Sequence, residues 1–229
     1  MSALFVTATG TDIGKTFVAC GLIAELRRQG RAVTAIKPVV TGFTADAAAA
    51  SDPALLLEAL GAPSDDIGKI SPWRFAAPLS PDLAAQRENR TLDAREIVAF
   101  SRAAIAAAED VLIVEGVGGI MVPLDERHTV LDWMVALGVP LLVVAGSYLG
   151  TISHTLSAVD VLRRRDLSIA AIVIGESPDS PVPLDATAAT IARFVTPVPV
   201  LALPRLPDSK AKHPVFQALA EAIPPARNA

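Results

Sequence analysis

Six short apolar runs that do not alternate with polar residues constrain this chain more than any other feature of its sequence. They are Leu4 to Ala8, Ala32 to Ile36, Val111 to Val114, Val139 to Ala145, Ile169 to Ile174 and Val198 to Leu203. A strand with one face in water alternates apolar and polar residues. Runs rich in Val and Ile without that alternation suit strands buried on both faces, which means parallel strands covered by helices. Helical patterns lie between the runs. Lys15 to Gln29 ends at Gly30, Asp93 to Ala108 opens on an N-capping Asp, and Thr129 to Leu137 ends at Gly138. Thr151 to Arg165 carries Leu156, Val159 and Leu162 at helical spacing. Strand and helix alternating in this way predict an open, doubly wound α/β sheet with helices on both faces.

The length of 229 residues fits one large domain or two small ones. No internal repeat or linker divides the chain, so it reads as a single domain over 1–229. Pro178 to Pro183 reads as a loop between elements, and Pro224 to Ala229 as a frayed end. Twenty Lys and Arg against 24 Asp and Glu give a net charge of −4, which argues against nucleic acid or an anionic membrane as the main partner. One cysteine, Cys20, excludes an internal disulfide and a Cys-based zinc site; within the first helix it reads as a small packed hydrophobe. Mean hydropathy is +0.46, yet each apolar run is far below the ~20 residues of a spanning helix. The N-terminal segment has no basic region before its apolar stretch, so a soluble cytoplasmic enzyme or binding protein is expected.

The first run leads into Thr9-Gly10-Thr11-Asp12-Ile13-Gly14-Lys15-Thr16, and a helix follows at once. This strand, loop and helix context is the one a P-loop requires. Gly14 lets the backbone approach a phosphate, Lys15 would reach the β- and γ-phosphates, and the Thr16 hydroxyl would ligate Mg²⁺. The expected fold is therefore a P-loop NTPase-type, mainly parallel sheet. Lys37, in Ile36-Lys37-Pro38-Val39-Val40-Thr41-Gly42, ends the second run, where ligands of open α/β sheets bind. Two lysines facing one phosphate suggest charge stabilisation of phosphoryl transfer. Glu115, at the end of Val111-Leu112-Ile113-Val114-Glu115-Gly116, sits where such enzymes place a second Mg²⁺ contact. Asp52 reads equally well as a metal carboxylate or as a helix N-cap. Trp73 reads as a packed loop residue, Trp133 as a packed helix residue, and His154 as structural. Arg163-Arg164-Arg165 reads as a helix C-terminal charge cluster.

Together these segments resemble the dethiobiotin synthetases. The matching pieces are Phe5-Val6-Thr7 leading to Gly14-Lys15-Thr16, then Lys37-Pro38-Val39, Ser51-Asp52, Pro78-Leu79-Ser80-Pro81 and Glu115-Gly116-Val117-Gly118-Gly119. Pro123-Leu124, Asp132-Trp133 and Leu149-Gly150 complete the series. The resemblance implies an ATP-dependent closure of a cyclic urea from 7,8-diaminononanoate and CO₂ through a carbamate and a carbamic-phosphoric anhydride. It implies catalytic roles for Lys37, Lys15 and Thr11. It implies nucleotide contacts at Asp12, Ile13, Gly14, Lys15, Thr16, Phe17, Glu115, Gly118, Gly175 and Pro204. Mg²⁺ would be held by Thr16, Asp52 and Glu115, and substrate by Lys37, Thr41, Ser80 and Gly118. The family is a homodimer, and the substrate carboxylate would bind a second subunit at Gly150, Thr151 and Ser153. From the residues alone that segment is a helix start, either a plain N-cap or a carboxylate site. Ala8 and Gly10 depart from the family's loop, Gly175 stands where the family often has a base-reading Asn, and Ser153 replaces a longer amide. Two rivals remain. A partition- or septum-site-type ATPase carries an extra lysine early in its P-loop, and Ala8 to Ile13 contains none. A small-molecule kinase would show no CO₂ dependence.

Overall fold

Each of the six apolar runs forms a strand in the computed structural model, which describes residues 2–178, 180–209 and 211–223. The expectation for Pro224 to Ala229 falls outside the described residues. In chain order the strands are β1 (Ser2–Ala8), β2 (Val33–Ile36), β3 (Val39–Thr41), β4 (Trp73–Phe75), β5 (Val111–Glu115), β6 (Leu141–Gly146), β7 (Ile169–Gly175) and β8 (Val200–Leu203). The helices are α1 (Lys15–Arg28), α2 (Asp52–Leu60), α3 (Ile67–Ile70), α4 (Pro81–Arg87), α5 (Ala94–Ala107), α6 (Val130–Leu137), α7 (Thr151–Arg164), α8 (Leu184–Val195) and α9 (Pro214–Glu221).

Six strands pair in the order β2-β5-β1-β6-β7-β8, and every pairing is parallel. The missing alternation has its cause here. Phe5, Leu112, Val114, Val143 and Ile172 pack against α5, α6, α7 and α8 on one face. Their sequence neighbours Leu4, Val6, Ile113, Val144 and Val173 pack against α1, α2 and α9 on the other. Both sets of side chains leave water, so both must be apolar.

The register positions the site. Val6 of β1 lies level with Glu115, the last residue of β5, while Thr7 and Ala8 continue against Val143 and Val144 of β6. The loop leaving β1 therefore rises past the end of β5, with the Glu115 carboxylate beneath it. Helices after β1 and β6 lie on opposite faces, so these neighbours form the crevice at which an open α/β sheet takes its ligand.

Several elements were not expected. β3 and β4 form a separate parallel pair, Val39 opposite Trp73 and Thr41 opposite Phe75. Three-residue strands are too short to show a period. Trp73, expected in a loop, thus begins a strand and meets Phe100 edge-on, with ring centroids 5.8 Å apart. Trp133 is buried as expected, edge-on to Phe5 at 4.7 Å, and its Nε1 donates to Ser101 Oγ at 3.1 Å. Gly21, in the interior of α1, is explained by α9. A Cβ there would stand 2.2 Å from Cζ of Phe216.

Candidate active site

The loop between β1 and α1 is shaped by left-handed backbone. Asp12 has φ 56°, and Gly14 has φ 97° immediately before Lys15 opens the helix. Glycine reaches the latter conformation without the clash a Cβ brings. The loop after β5 packs directly on this turn. A Cβ on Gly119 would lie 3.4 Å from backbone atoms of Gly10 and Thr9, and one on Gly116 would lie 2.8 Å from the Phe5 ring. Small residues after Glu115 therefore let two loops close on each other above the carboxylate.

Four charged groups and a hydroxyl converge there. Lys37 Nζ is 2.5 Å from Glu115 Oε1 and 2.8 Å from Asp52 Oδ2. The Thr16 hydroxyl donates to the same Glu115 Oε1 at 2.6 Å. Lys15 Nζ turns back to the carbonyl of Gly10 at 3.2 Å. Glu115 is 0% exposed, Lys37 3% and Lys15 7%. Asp52 is the first residue of α2, one place inside the N-cap Ser51, so its carboxylate is free to pair with Lys37. This decides between the two readings of Asp52 open in the sequence: it is not the cap.

Burial acts first on each of these groups, and the neighbouring charges set the net direction. For Lys37, burial favours the neutral amine but is outweighed by the charges of Glu115 and Asp52 and by its hydrogen bonds to them, so its pKa is raised. For Asp52, burial favours the protonated acid but is outweighed by the Lys37 charge and hydrogen bonds from Lys37 and Thr16, so its pKa is lowered. For Lys15, burial and the adjacent Lys37 charge together exceed the attraction of Glu115, Asp52 and Asp12, and the pKa falls to about 8.

A cleft of about 360 Å³ opens over this cluster, lined by Thr11, Asp12, Gly14, Lys15, Thr16, Phe17, Lys37, Thr41, Asp52 and Gly118 among the expected residues. Glu115 forms its floor through Thr16 and Lys37. Val40 and Val117 give it apolar walls that motif reading did not single out, although both lie inside quoted segments. A second cavity of about 270 Å³ lies across the P-loop at the ends of β7 and β8. Asp12, Ile13, Gly14 and Phe17 of the loop, with Gly175 and Pro204, line it. Glu176 and Arg205 also line it, and Glu176 Oε2 accepts from the Arg205 N–H at 2.9 Å. Nothing in the sequence pattern pointed to that pair. The arrangement suits a nucleotide with phosphates in the first cleft and its base in the second.

Two groups of expected residues lie elsewhere. Ser80 lies outside both cavities at the start of α4, although its loop is tied to the Thr41 turn by the Gly42 N–H bonding to Ala77 O at 3.2 Å. Gly150, Thr151 and Ser153 line neither cavity. The Thr151 hydroxyl is buried and donates to Gly146 O at 2.6 Å, and the Thr151 N–H donates to Tyr148 O at 3.1 Å, while Ser153 is exposed. His154 is exposed, and its Nδ1 lies 3.0 Å from the Tyr148 hydroxyl.

The donor set fits a hard divalent cation. Glu115 Oε2 is buried with no hydrogen-bond partner among the described residues, a costly state for a carboxylate oxygen that a cation would relieve. Two carboxylates and a hydroxyl, with room above for phosphate oxygens and water, match the habits of Mg²⁺. Among the described residues no cluster of three His, Cys, Asp or Glu gathers as at an all-protein metal centre. No helix among them is long and apolar enough to cross a membrane.

Comparison with known proteins agrees with this geometry. A family model described as an AAA domain matches residues 2–213. The ATP-dependent dethiobiotin synthetase BioD of a Caulobacter species is 52% identical over 206 residues, covering 90% of this chain and 89% of that protein. The protein of the same name from Acidiphilium cryptum is 48% identical over 205 residues, covering 87% and 92%. Among solved structures, the cell division ATPase MinD of Pyrococcus furiosus has a TM-score of 0.55 at 16% identity, covering 97% of this chain and 98% of that one. A ParA family ATPase from Chlorobium tepidum has a TM-score of 0.51 at 14% identity, covering 90% and 84%. At such identities these two ATPases share the P-loop NTPase fold and nothing more.

Proposed function

This chain belongs to the ATP-dependent dethiobiotin synthetase family, and from that membership and the geometry of the cleft we propose the course of its reaction. It is an ATP-dependent ligase of biotin biosynthesis. One amine of 7,8-diaminononanoate adds to CO₂ and loses a proton, giving a carbamate. A carbamate oxygen attacks the γ-phosphorus, and the bond to ADP breaks. The second amine then attacks the carbonyl carbon, phosphate leaves with the C–O bonding pair, and the attacking amine gives up one proton as the ureido ring closes, so that each ring nitrogen keeps one N–H.

The cleft supports this reading because it offers positioning and two lysines, and a carbamate is already nucleophilic and needs no strong base. The loop N–H groups around Gly14, with Lys15 and Thr11, hold the phosphates. Lys37 balances charge between the carbamate and the γ-phosphoryl group. Thr16, Asp52 and Glu115 would hold Mg²⁺, which when bound supplies positive charge to the phosphate oxygens. Thr41 would face the diamine end, and Ser80, outside both cavities, would reach it through the loop tied to the Thr41 turn. The carboxylate tail reaches the α7 start of a second copy, at Gly150, Thr151 and Ser153. The enzyme would work as a homodimer in the cytoplasm.

The observation that carries the proposal is the convergence of Lys15, Lys37, Thr16 and Asp52 on one cleft with Glu115 as its floor. Mass spectrometry of the product from diamine, bicarbonate and MgATP is expected to show the cyclic urea. Phosphate release should cease in CO₂-free buffer. A phosphorylated diamine, or equal ATP turnover without CO₂, would instead make this a small-molecule kinase.

A further inference from the structure

Lys37 takes one oxygen of each carboxylate that a divalent cation would need and leaves Glu115 Oε2 without a partner among the described residues. Its ammonium is bonded to Glu115 Oε1 and to Asp52 Oδ2, two of the three side chains suited to hold the metal. The third, Thr16, donates to that same Glu115 oxygen. A dication on the same two carboxylates would stand close to the ammonium that lies 2.5 Å from Glu115 Oε1, and the two cations would repel. The same two contacts draw the Lys37 ammonium toward the cleft floor.

We propose that Lys37 and the divalent cation compete for one carboxylate pair, so that Lys37 weakens metal binding and is released to the substrate as the cation takes its place. The inference rests on the assignment of Thr16, Asp52 and Glu115 as the metal ligands.

The backbone around Lys37 makes the exchange a side-chain movement. The Lys37 N–H donates to Ile70 O at 3.1 Å, the Ser71 hydroxyl donates to Lys37 O, and the Trp73 N–H donates to Pro38 O at 3.1 Å. With both flanking peptides fixed, only the four-carbon stem is free to carry the ammonium from the floor to the phosphates. Charge favours the order of events. Glu115 and the partly exposed Asp52 balance Lys37 and the nearby Lys15, so the floor is neutral while Lys37 rests on it. A dication would neutralise both carboxylates and repel the ammonium, and an incoming triphosphate would attract it. A nucleotide–metal complex supplies both at once, whereas a free cation supplies only the repulsion.

Electron paramagnetic resonance with Mn²⁺ as the probe and no nucleotide tests this. Wild type is expected to bind Mn²⁺ weakly, and Lys37→Met at least about tenfold more tightly, since the carboxylates then have no competing cation. Lys37→Arg keeps a charge on the pair and should bind as weakly as wild type. Lys37→Gln carries the same expectation as the Met variant if that one does not fold. Adding Glu115→Gln to Lys37→Met should return binding to the weak level. Mn²⁺ affinity unchanged by Lys37→Met and Lys37→Gln overturns the exchange. Loss of Mn²⁺ binding in Glu115→Gln with ATP present would still leave the ligand assignment standing. Tight Mn²⁺ binding in the double variant overturns both.

Discussion

The Lys15 ammonium is held down to about 8 by burial and then by the Lys37 charge, against the attraction of Glu115, Asp52 and Asp12. Phosphate favours its charged form, so nucleotide binding should draw a proton from solvent once the pH nears that value. Calorimetry of ADP binding in buffers of different ionisation enthalpy is expected to show uptake of about half a proton near pH 8, little near pH 6.5, and none in Lys15→Met. The same group has a defined effect on folding. Its folded pKa lies below the value of 10.5 of an ordinary lysine, so between about 8 and 10.5 the unfolded chain binds more protons, and this group's contribution to stability rises with pH across that window. The gathering of Lys15, Lys37 and Glu115 at one end of the sheet was legible in the sequence because each ends or follows an apolar run. The lowered pKa of Lys15 was not, because it depends on a second lysine 22 positions away, a neighbour only in the folded chain.

At the scale of elements, the turn between β2 and β3 holds Lys37 through the segment that joins α3 to β4. Ser71 is fully buried, and its hydroxyl donates to the Lys37 carbonyl. Ser71→Ala removes a buried hydrogen bond of about 1 kcal/mol and loosens the turn, so kcat should fall roughly fivefold. KM for ATP should change little, since Lys15 and the loop are the groups proposed to hold the phosphates, and Ser71→Thr should recover part of the loss. A variant that lowered Tm without moving kcat would reduce Ser71 to a packing role. The main strands were legible because burial on both faces leaves a local mark. The helices from Thr129 and Thr151 were legible from their spacing and glycine signals, and Gly138 takes φ 63° and Gly150 φ 96° as such positions require. The pair β3 and β4 was hidden because three residues pair too briefly to set a pattern, and each depends on the other, more than 30 positions away.

For the whole molecule, the expected carboxylate site at Gly150, Thr151 and Ser153 lines neither of the two cavities beside the P-loop, and the proposed function completes it with a second copy. Leu149 beside it is 86% exposed, an apolar side chain with no cover among the described residues. A mixing experiment measures this directly. Lys37→Ala and a variant with Gly150→Asp should each be inactive alone. In a homodimer, subunit exchange between them should restore about a quarter of wild-type activity, since half the dimers are mixed and each has one intact site of two. Activity that stays at zero after demonstrated exchange would place the tail of the diamine within a single chain.

Sequence by itself determined the fold class, the phosphate loop and the carboxylate beneath it. Burial of a parallel sheet on both faces, and the backbone needs of a turn against phosphate, act within a few residues and leave their mark there. Tertiary structure decided the rest. The strand order β2-β5-β1-β6 brings Lys37 against Glu115, 78 positions away, and α2 delivers Asp52 to the same ammonium. No local pattern encodes that contact, because charges on three separate elements meet only when the sheet sets their distances.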